Sequence, residues 1–280
     1  MTVTTVDAFT DRPFAGNPAA VVVLDAPAPE GWMRALAAEM NLSETAFLVP
    51  ADGSADGAWK LRWLTPTVEV DLCGHATLAA AHVLFETARA DGAVRFDTRS
   101  GRLTVARVAA GRYAMDFPAT PPRAAAPPAA LAEALGAWPE WTGQTPFDVF
   151  AVLPSAEAVR DLAPDLGRLA ALGTRGVIVT AADGAGEADV VSRFFAPEAG
   201  VPEDPVTGSA HCAIGPYWAR RLGRDALRCE QASARGGWLD VTVRGDRVEL
   251  VGDAVTAYTA ELTDGARPEA WSPSGAERRA

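Results

Sequence analysis

Leu61-Arg62-Trp63-Leu64-Thr65-Pro66 and, far downstream, Ser192-Arg193-Phe194-Phe195-Ala196-Pro197 read as one strand written twice. Each leads into a turn with Gly and a polar residue that opens an apolar helix, Cys73-Gly74-His75-Ala76 in the first case and Thr207-Gly208-Ser209-Ala210 in the second. The match extends upstream. Leu36-Ala37-Ala38 and Leu169-Ala170-Ala171 close helical stretches, followed by the apolar strands Ala46–Val49 and Gly176–Val179 and by Asp52-Gly53 and Asp183-Gly184, both good hairpin signals. It also extends downstream. Arg99-Ser100-Gly101-Arg102-Leu103-Thr104-Val105 answers Arg235-Gly236-Gly237-Trp238-Leu239-Asp240-Val241, and each passes through a Gly turn (Gly111, Gly245) into Tyr113–Phe117 or Arg247–Val251.

The order of these matches is harder to obtain by chance than any one of them. Their period is far longer than the roughly 20–50 residues of solenoid repeats. They predict an α+β fold of two pseudo-symmetric β-rich lobes, each with one buried helix and with a cleft between them. The first lobe is expected over residues 1–118 and the second over 119–280. The Pro and Ala run Pro118–Pro128 would act as linker, and a last strand near Ala257–Leu262 could return to the first lobe.

Composition narrows the partners. Lys and Arg number 25 against 36 Asp and Glu, a formal net charge of -11, with 49% hydrophobic residues. So acidic a chain repels phosphate backbones and anionic lipid, which argues against nucleic acid and membrane as partners. A small anionic metabolite is still admissible, because a few backbone N–H groups can bind one locally. Cys73, Cys212 and Cys229 form no C-x-x-C pair, and the apolar run Ala19–Leu24 is too short for a signal-peptide core or a membrane span. A cytoplasmic protein is the expectation, with a polar, frayed tail from Pro268 to Ala280.

The helix after Gly74-His75 is apolar almost all round and should be buried; the one after Gly208-Ser209 is similar, with Pro216 expected to kink or shorten it. Helix N-termini offer unpaired N–H donors and partial positive charge to a carboxylate or a developing oxyanion. Ordinary turns with ordinary caps would explain the same glycines. Glu44 follows the helical stretch Gly31–Met40 and borders the strand Ala46–Val49. Partial burial there would raise its pKa and suit a group that both accepts and gives a proton; an exposed turn residue is the alternative. His75 could donate to a substrate carboxylate or shuttle a proton, or simply bond a backbone carbonyl. Asp204 could cap the coming helix. Ser209 lacks a nucleophile-elbow setting, and His211 lies on the helix with no evident role. No metal is expected: His75 and His82 are about 10 Å apart along a helix, too far to share an ion, and no His-Glu-x-x-His pattern occurs. Neither a phosphate-binding Gly-x-x-x-x-Gly-Lys loop nor a dinucleotide Gly-x-Gly-x-x-Gly is present.

Asn41-Leu42-Ser43-Glu44-Thr45-Ala46-Phe47, Asp71-Leu72-Cys73-Gly74-His75-Ala76-Thr77 and Glu203-Asp204-Pro205-Val206-Thr207-Gly208-Ser209-Ala210 resemble the signature segments of PhzF-like proteins. Asp7-Ala8-Phe9-Thr10 with Phe14-Ala15-Gly16-Asn17-Pro18 resembles that family's N-terminus. The resemblance implies the diaminopimelate-epimerase-like fold, two lobes each with a curved sheet around a central helix. It also implies an isomerase that uses no metal or organic cofactor, on a small, carboxylate-bearing, cyclic substrate such as trans-2,3-dihydro-3-hydroxyanthranilate, in a homodimer. By the same resemblance Glu44 is the acid/base, with His75 and Asp204 assisting proton movement. Substrate binding falls to Asn17, Cys73, Gly74, Thr207, Gly208 and Ser209. Two alternatives stay open: an epimerase or racemase of a small amino or hydroxy acid, and a non-catalytic binding module. A two-thiol racemase could use Cys73, but the second lobe offers Asp204 and Thr207 where its partner thiol is needed.

Overall fold

The computed structural model describes residues 1–51, 53, 56–184 and 186–272. Asp52 of the first hairpin signal and residues 273–280 of the polar tail lie outside them. The chain divides into two compact units, one of residues 1–14, 18–113 and 254–280, the other of residues 15–17 and 114–253. The division thus falls at Tyr113/Ala114, a few residues before the Pro118–Pro128 run.

The first unit comprises β1 (Thr2–Ala8), β2 (Asn17–Val23) from Pro18 on, α1 (Glu30–Met40), β3 (Glu44–Pro50), β4 (Trp59–Leu64), β5 (Glu69–Val70), α2 (Gly74–Glu86), β6 (Ala93–Thr98), β7 (Gly101–Ala109) and the first two residues of β8 (Arg112–Pro118), which passes into the second unit at Ala114. The second comprises β9 (Arg123–Ala124), α3 (Leu131–Leu135), β10 (Trp141–Gln144), β11 (Val149–Val152), α4 (Ala156–Arg160), α5 (Leu166–Ala170), β12 (Val177–Ala182), β13 (Val190–Ala196), β14 (Val201–Asp204), α6 (Gly208–Leu222), β15 (Ala226–Gln231), β16 (Gly237–Arg244) and the first half of β17 (Arg247–Glu261). The second half of β17, from Ala254, belongs to the first unit. Where the sequence suggested separate strands at Arg247–Val251 and Ala257–Leu262, one continuous strand runs through both.

Pairing repeats as the sequence does. In the first unit β2 runs parallel to β3, β3 antiparallel to β4, β4 antiparallel to β5 and parallel to β6, and β6 antiparallel to β7. In the second, β11, β12, β13, β14, β15 and β16 repeat that pattern in the same order. In the first unit β1 also pairs with β2 and, antiparallel, with β17, whose other neighbour is β8. The ring β1-β2-β3-β4-β6-β7-β8-β17 closes an eight-stranded barrel with no free edge.

Each unit holds the expected apolar helix. In α2 every residue from His75 to Phe85 is buried, and the helix packs on β1, β3 and β7. Such a helix has no polar face to give to solvent, so it is stable only when surrounded by strands. In α6 Gly208, residues 210–215, Trp218 and Ala219 are buried, against β12, β15 and β16. The amphipathic α1 instead buries one face (Trp32, Met33, Leu36, Ala37), with the Trp32 ring edge-on to Phe47 at 6.0 Å. It ends on Asn41 in the left-handed region (φ 49), a conformation that asparagine tolerates, and the chain turns there into Glu44, first residue of β3.

Pro216 does not shorten α6, which runs six residues beyond it to Leu222. A helical proline costs stability partly because the carbonyl four residues back loses its donor. Here that carbonyl, Cys212 C=O, accepts from the backbone N–H of Thr120 at 2.9 Å. The site is therefore adapted to the proline. Pro216→Ala is expected to change stability by less than about 1 kcal/mol, not to gain the roughly 3 kcal/mol that separates proline from alanine in an unadapted helix. Denaturant unfolding of the two proteins checks this.

Candidate active site

In the first unit the strand start of β3 and the helix start of α2 bring Glu44, Cys73 and His75 together. Cys73 is the N-cap of α2 in extended conformation (φ -145, ψ 110), and its carbonyl is held by the Thr77 hydroxyl at 2.6 Å. That bond fixes the turn and points the next residues of the helix start. His75 is buried, with Nε2 3.3 Å from Glu44 Oε2 and 3.4 Å from Ser43 Oγ, while Nδ1 lies 3.5 Å from Cys73 Sγ. The ring therefore spans two partners with its two nitrogens. Burial lowers the imidazole pKa to about 3, so the ring is neutral and carries one proton. Nε2 hydrogen-bonds with Ser43 Oγ and lies beside the Glu44 carboxylate, and Nδ1 faces the Cys73 thiol. The Glu44 side chain is mostly buried, 16% exposed, enough for a small molecule to reach it.

In the second unit the turn between β14 and α6 gathers Asn17, Asp204 and Thr207. One oxygen of Asp204 accepts from Asn17 Nδ2 at 2.8 Å, the other from the Thr207 hydroxyl at 2.5 Å. Asn17 Nδ2 also donates to Val206 C=O at 2.9 Å. Burial pushes Asp204 up to about 6, outweighing the lowering by the Thr207 and Asn17 hydrogen bonds. Thr207, N-cap of α6, spends its hydroxyl on Asp204 and makes no side-chain cap bond. Gly208 opens that helix as Gly74 opens α2. Ser209 is half-buried, and its hydroxyl has no hydrogen-bond partner among the described residues.

Three residues of this second group had no site role in the sequence reading. Gln231, fully buried at the end of β15, accepts from Thr207 N–H at 2.8 Å and donates to Asp204 C=O at 2.8 Å. Its signal was slight: strand alternation puts it on the same face as buried Leu227 and Cys229. Arg235 donates to the carbonyls of Gly16 and Ala15 at 2.8 and 2.9 Å, and Gly16 N–H donates to Gly236 C=O at 2.8 Å. These bonds explain why residues 15–17 belong to the second unit and why Asn17 meets Asp204. His211, given no role from the sequence, is fully buried, kept neutral by burial with its pKa lowered to about 4, and bonded through Nδ1 to Thr207 C=O at 2.8 Å.

His82 takes no part in either group. Its Nδ1 meets the Tyr113 hydroxyl and its Nε2 the Thr256 hydroxyl, both at 2.9 Å, in a buried structural network. Ligand atoms of Glu44, Cys73 and His75 all lie within 4.8 Å of one another.

The model of the phenazine biosynthesis-like family, PhzC-PhzF, matches residues 6–260. The chain belongs to this family. An uncharacterized isomerase of Pseudomonas aeruginosa is 51% identical over 258 residues, covering 92% of this chain and 96% of the relative. The crystal structure of a PhzF-family protein from Enterococcus faecalis superposes with a TM-score of 0.88 at 41% identity, covering 94% of this chain and 98% of that one. A predicted epimerase of Pseudomonas aeruginosa follows at a TM-score of 0.72 and 26% identity, over 93% and 98%. This PhzF-family chain therefore carries an α+β, sheet-dominated fold with epimerase-like neighbours, as the family resemblance implied. No helix among the described residues is long and apolar enough to cross a membrane.

Proposed function

We propose that this PhzF-family chain is an isomerase that moves a proton from one carbon of a small, carboxylate-bearing, cyclic metabolite to another, with Glu44 as acid and base. The observation that carries this is the Glu44–His75 contact. A carboxylate mostly out of water and packed against a neutral imidazole at 3.3 Å is placed to take a proton from carbon and give it back. The C–H bond breaks, the electron pair shifts the ring double bond, and Glu44, now neutral, returns the proton to the new carbanionic centre. Every atom of the substrate is conserved, and the step asks for neither metal nor organic cofactor. Asp204 is the second titratable group we assign to proton movement. Asn17, Thr207, Gly208 and Ser209, together with Cys73 and Gly74, are assigned to binding.

An epimerase using two thiols is the second reading, and the chemistry of the cysteines speaks against it. Thr207 stands at the α6 cap where Cys73 stands at the α2 cap. Cys212 is buried within α6 with its thiol pushed up to about 12, and Cys229 is buried in β15 with its thiol raised further. Neither offers a thiolate at neutral pH. Cys73→Ala should therefore cost less than about tenfold in turnover, while a loss comparable to that of Glu44→Gln would bring the thiol mechanism back.

Turnover of trans-2,3-dihydro-3-hydroxyanthranilate, followed by absorbance, tests the substrate class directly. If that compound is untouched, deuterium uptake by other small carboxylates identifies the substrate, and label confined to one inverted stereocentre would favour the epimerase. A cytoplasmic homodimer is part of the same proposal, checked by light scattering of the purified protein.

A further inference from the structure

The Cys73–His75–Glu44 chain has a geometry that proton transfer alone does not require. Cys73 Sγ and His75 Nδ1 are 3.5 Å apart. A zinc ion about 2.3 Å from sulfur and about 2.0–2.1 Å from nitrogen, at the tetrahedral angle, subtends a separation of roughly 3.5 Å. The side chains are thus already spaced as two adjacent ligands of one ion. Glu44 lies against the opposite nitrogen, Nε2, at 3.3 Å. A carboxylate in that position commonly supports a metal-bound histidine, and ligand atoms of Glu44, Cys73 and His75 all lie within 4.8 Å of one another.

We propose that Cys73 and His75 form a two-ligand seat for a thiophilic divalent cation of the Zn2+ class, supported by Glu44, and that such a cation inhibits the enzyme. Coordination asks for a neutral imidazole and a thiolate. The two groups are buried side by side at the start of α2. Two coordination positions would be left for water or for the carboxylate of a bound metabolite, which is the open arrangement of a regulatory or inhibitory site and unlike a closed structural one. The inhibition half of the proposal rests on the reading of Glu44 as base: a cation on Cys73 and His75 occupies the space beside the Glu44 carboxylate where substrate would approach. The binding half is independent of that reading.

The test is a Co2+ titration of the reduced full-length protein, reading the near-ultraviolet sulfur-to-cobalt charge-transfer band. We expect the band to saturate at one ion per chain and to be displaced by Zn2+. It should be lost in Cys73→Ser and His75→Gln, and persist in Cys212→Ser and Cys229→Ser. Glu44→Gln should weaken binding by about 10–100-fold, the usual loss when the carboxylate behind a ligating histidine is removed. A band that survives Cys73→Ser, or none in the wild type, overturns the site. Zinc K-edge absorption of the wild-type complex supplies a test independent of any variant: one sulfur at about 2.3 Å supports the seat, and a shell of nitrogen and oxygen only overturns it. If Zn2+ binds with these signatures yet leaves turnover intact, the cation site stands and its inhibitory role is overturned.

Discussion

Glu44→Gln should fold as the wild type does and lose turnover by about a hundredfold to ten-thousandfold, the range that a positioned general base contributes. The amide keeps the size and shape of the side chain beside His75, so β3 and the start of α2 have no reason to shift. What it cannot do is hold the transferred proton. Loss should therefore appear in kcat, with substrate binding little changed, since the group acts on the reacting carbon in the transition state. A stopped reaction with unchanged melting temperature would identify Glu44 as the proton carrier. A variant with wild-type kcat would remove it from the mechanism, whatever its place beside His75.

The second large effect concerns Asp204, whose pKa rises from 3.8 to about 6 on folding because burial outweighs its hydrogen bonds. A carboxyl with a raised folded-state pKa binds its proton more tightly when folded. The stability this provides is fully present below the unfolded value, near pH 4, and is lost as pH rises through about 6. Each tenfold gain in proton affinity on folding is worth about 1.36 kcal/mol, so the wild type should lose on the order of 3 kcal/mol of unfolding free energy across that window relative to Asp204→Asn. Urea unfolding at pH 4 and pH 7 measures it: the amide variant should show the shallower decline. Equal slopes for the two proteins would mean that Asp204 is as well solvated folded as unfolded. The variant should also lack any limb near pH 6 in the rate profile, because the titrating group is gone. A carboxylate kept at such cost to stability is what a functional site looks like.

The duplication was legible because it is written in hydrophobic period and punctuation. Matching segments marked β4 and β13, glycines marked the turns, and the all-apolar α2 announced its own burial. What escaped was set by single polar contacts between residues distant in the chain. That Ala15–Asn17 leave the first unit depends on the Arg235 guanidinium meeting two carbonyls, which no periodicity encodes. Pro216 read as a helix breaker because the sequence does not reveal that Thr120 N–H supplies the missing donor to Cys212. Glu44, Cys73 and His75 could each be picked out, but only the fold makes one ring nitrogen face the carboxylate and the other the thiol. Gln231, which bonds both Thr207 and Asp204, left little more than a polar letter on a buried face.

The most direct measurement is turnover of trans-2,3-dihydro-3-hydroxyanthranilate by the wild type in D2O beside Glu44→Gln, with the product analysed by mass spectrometry and NMR. We expect the wild type to convert the compound to an isomer of unchanged skeleton. Deuterium should appear at the carbon that gains the proton, to the extent that protonated Glu44 exchanges with solvent, and Glu44→Gln should form product at least about a hundredfold more slowly. Conversion by both proteins at equal rates would contradict the role of Glu44 as the proton carrier.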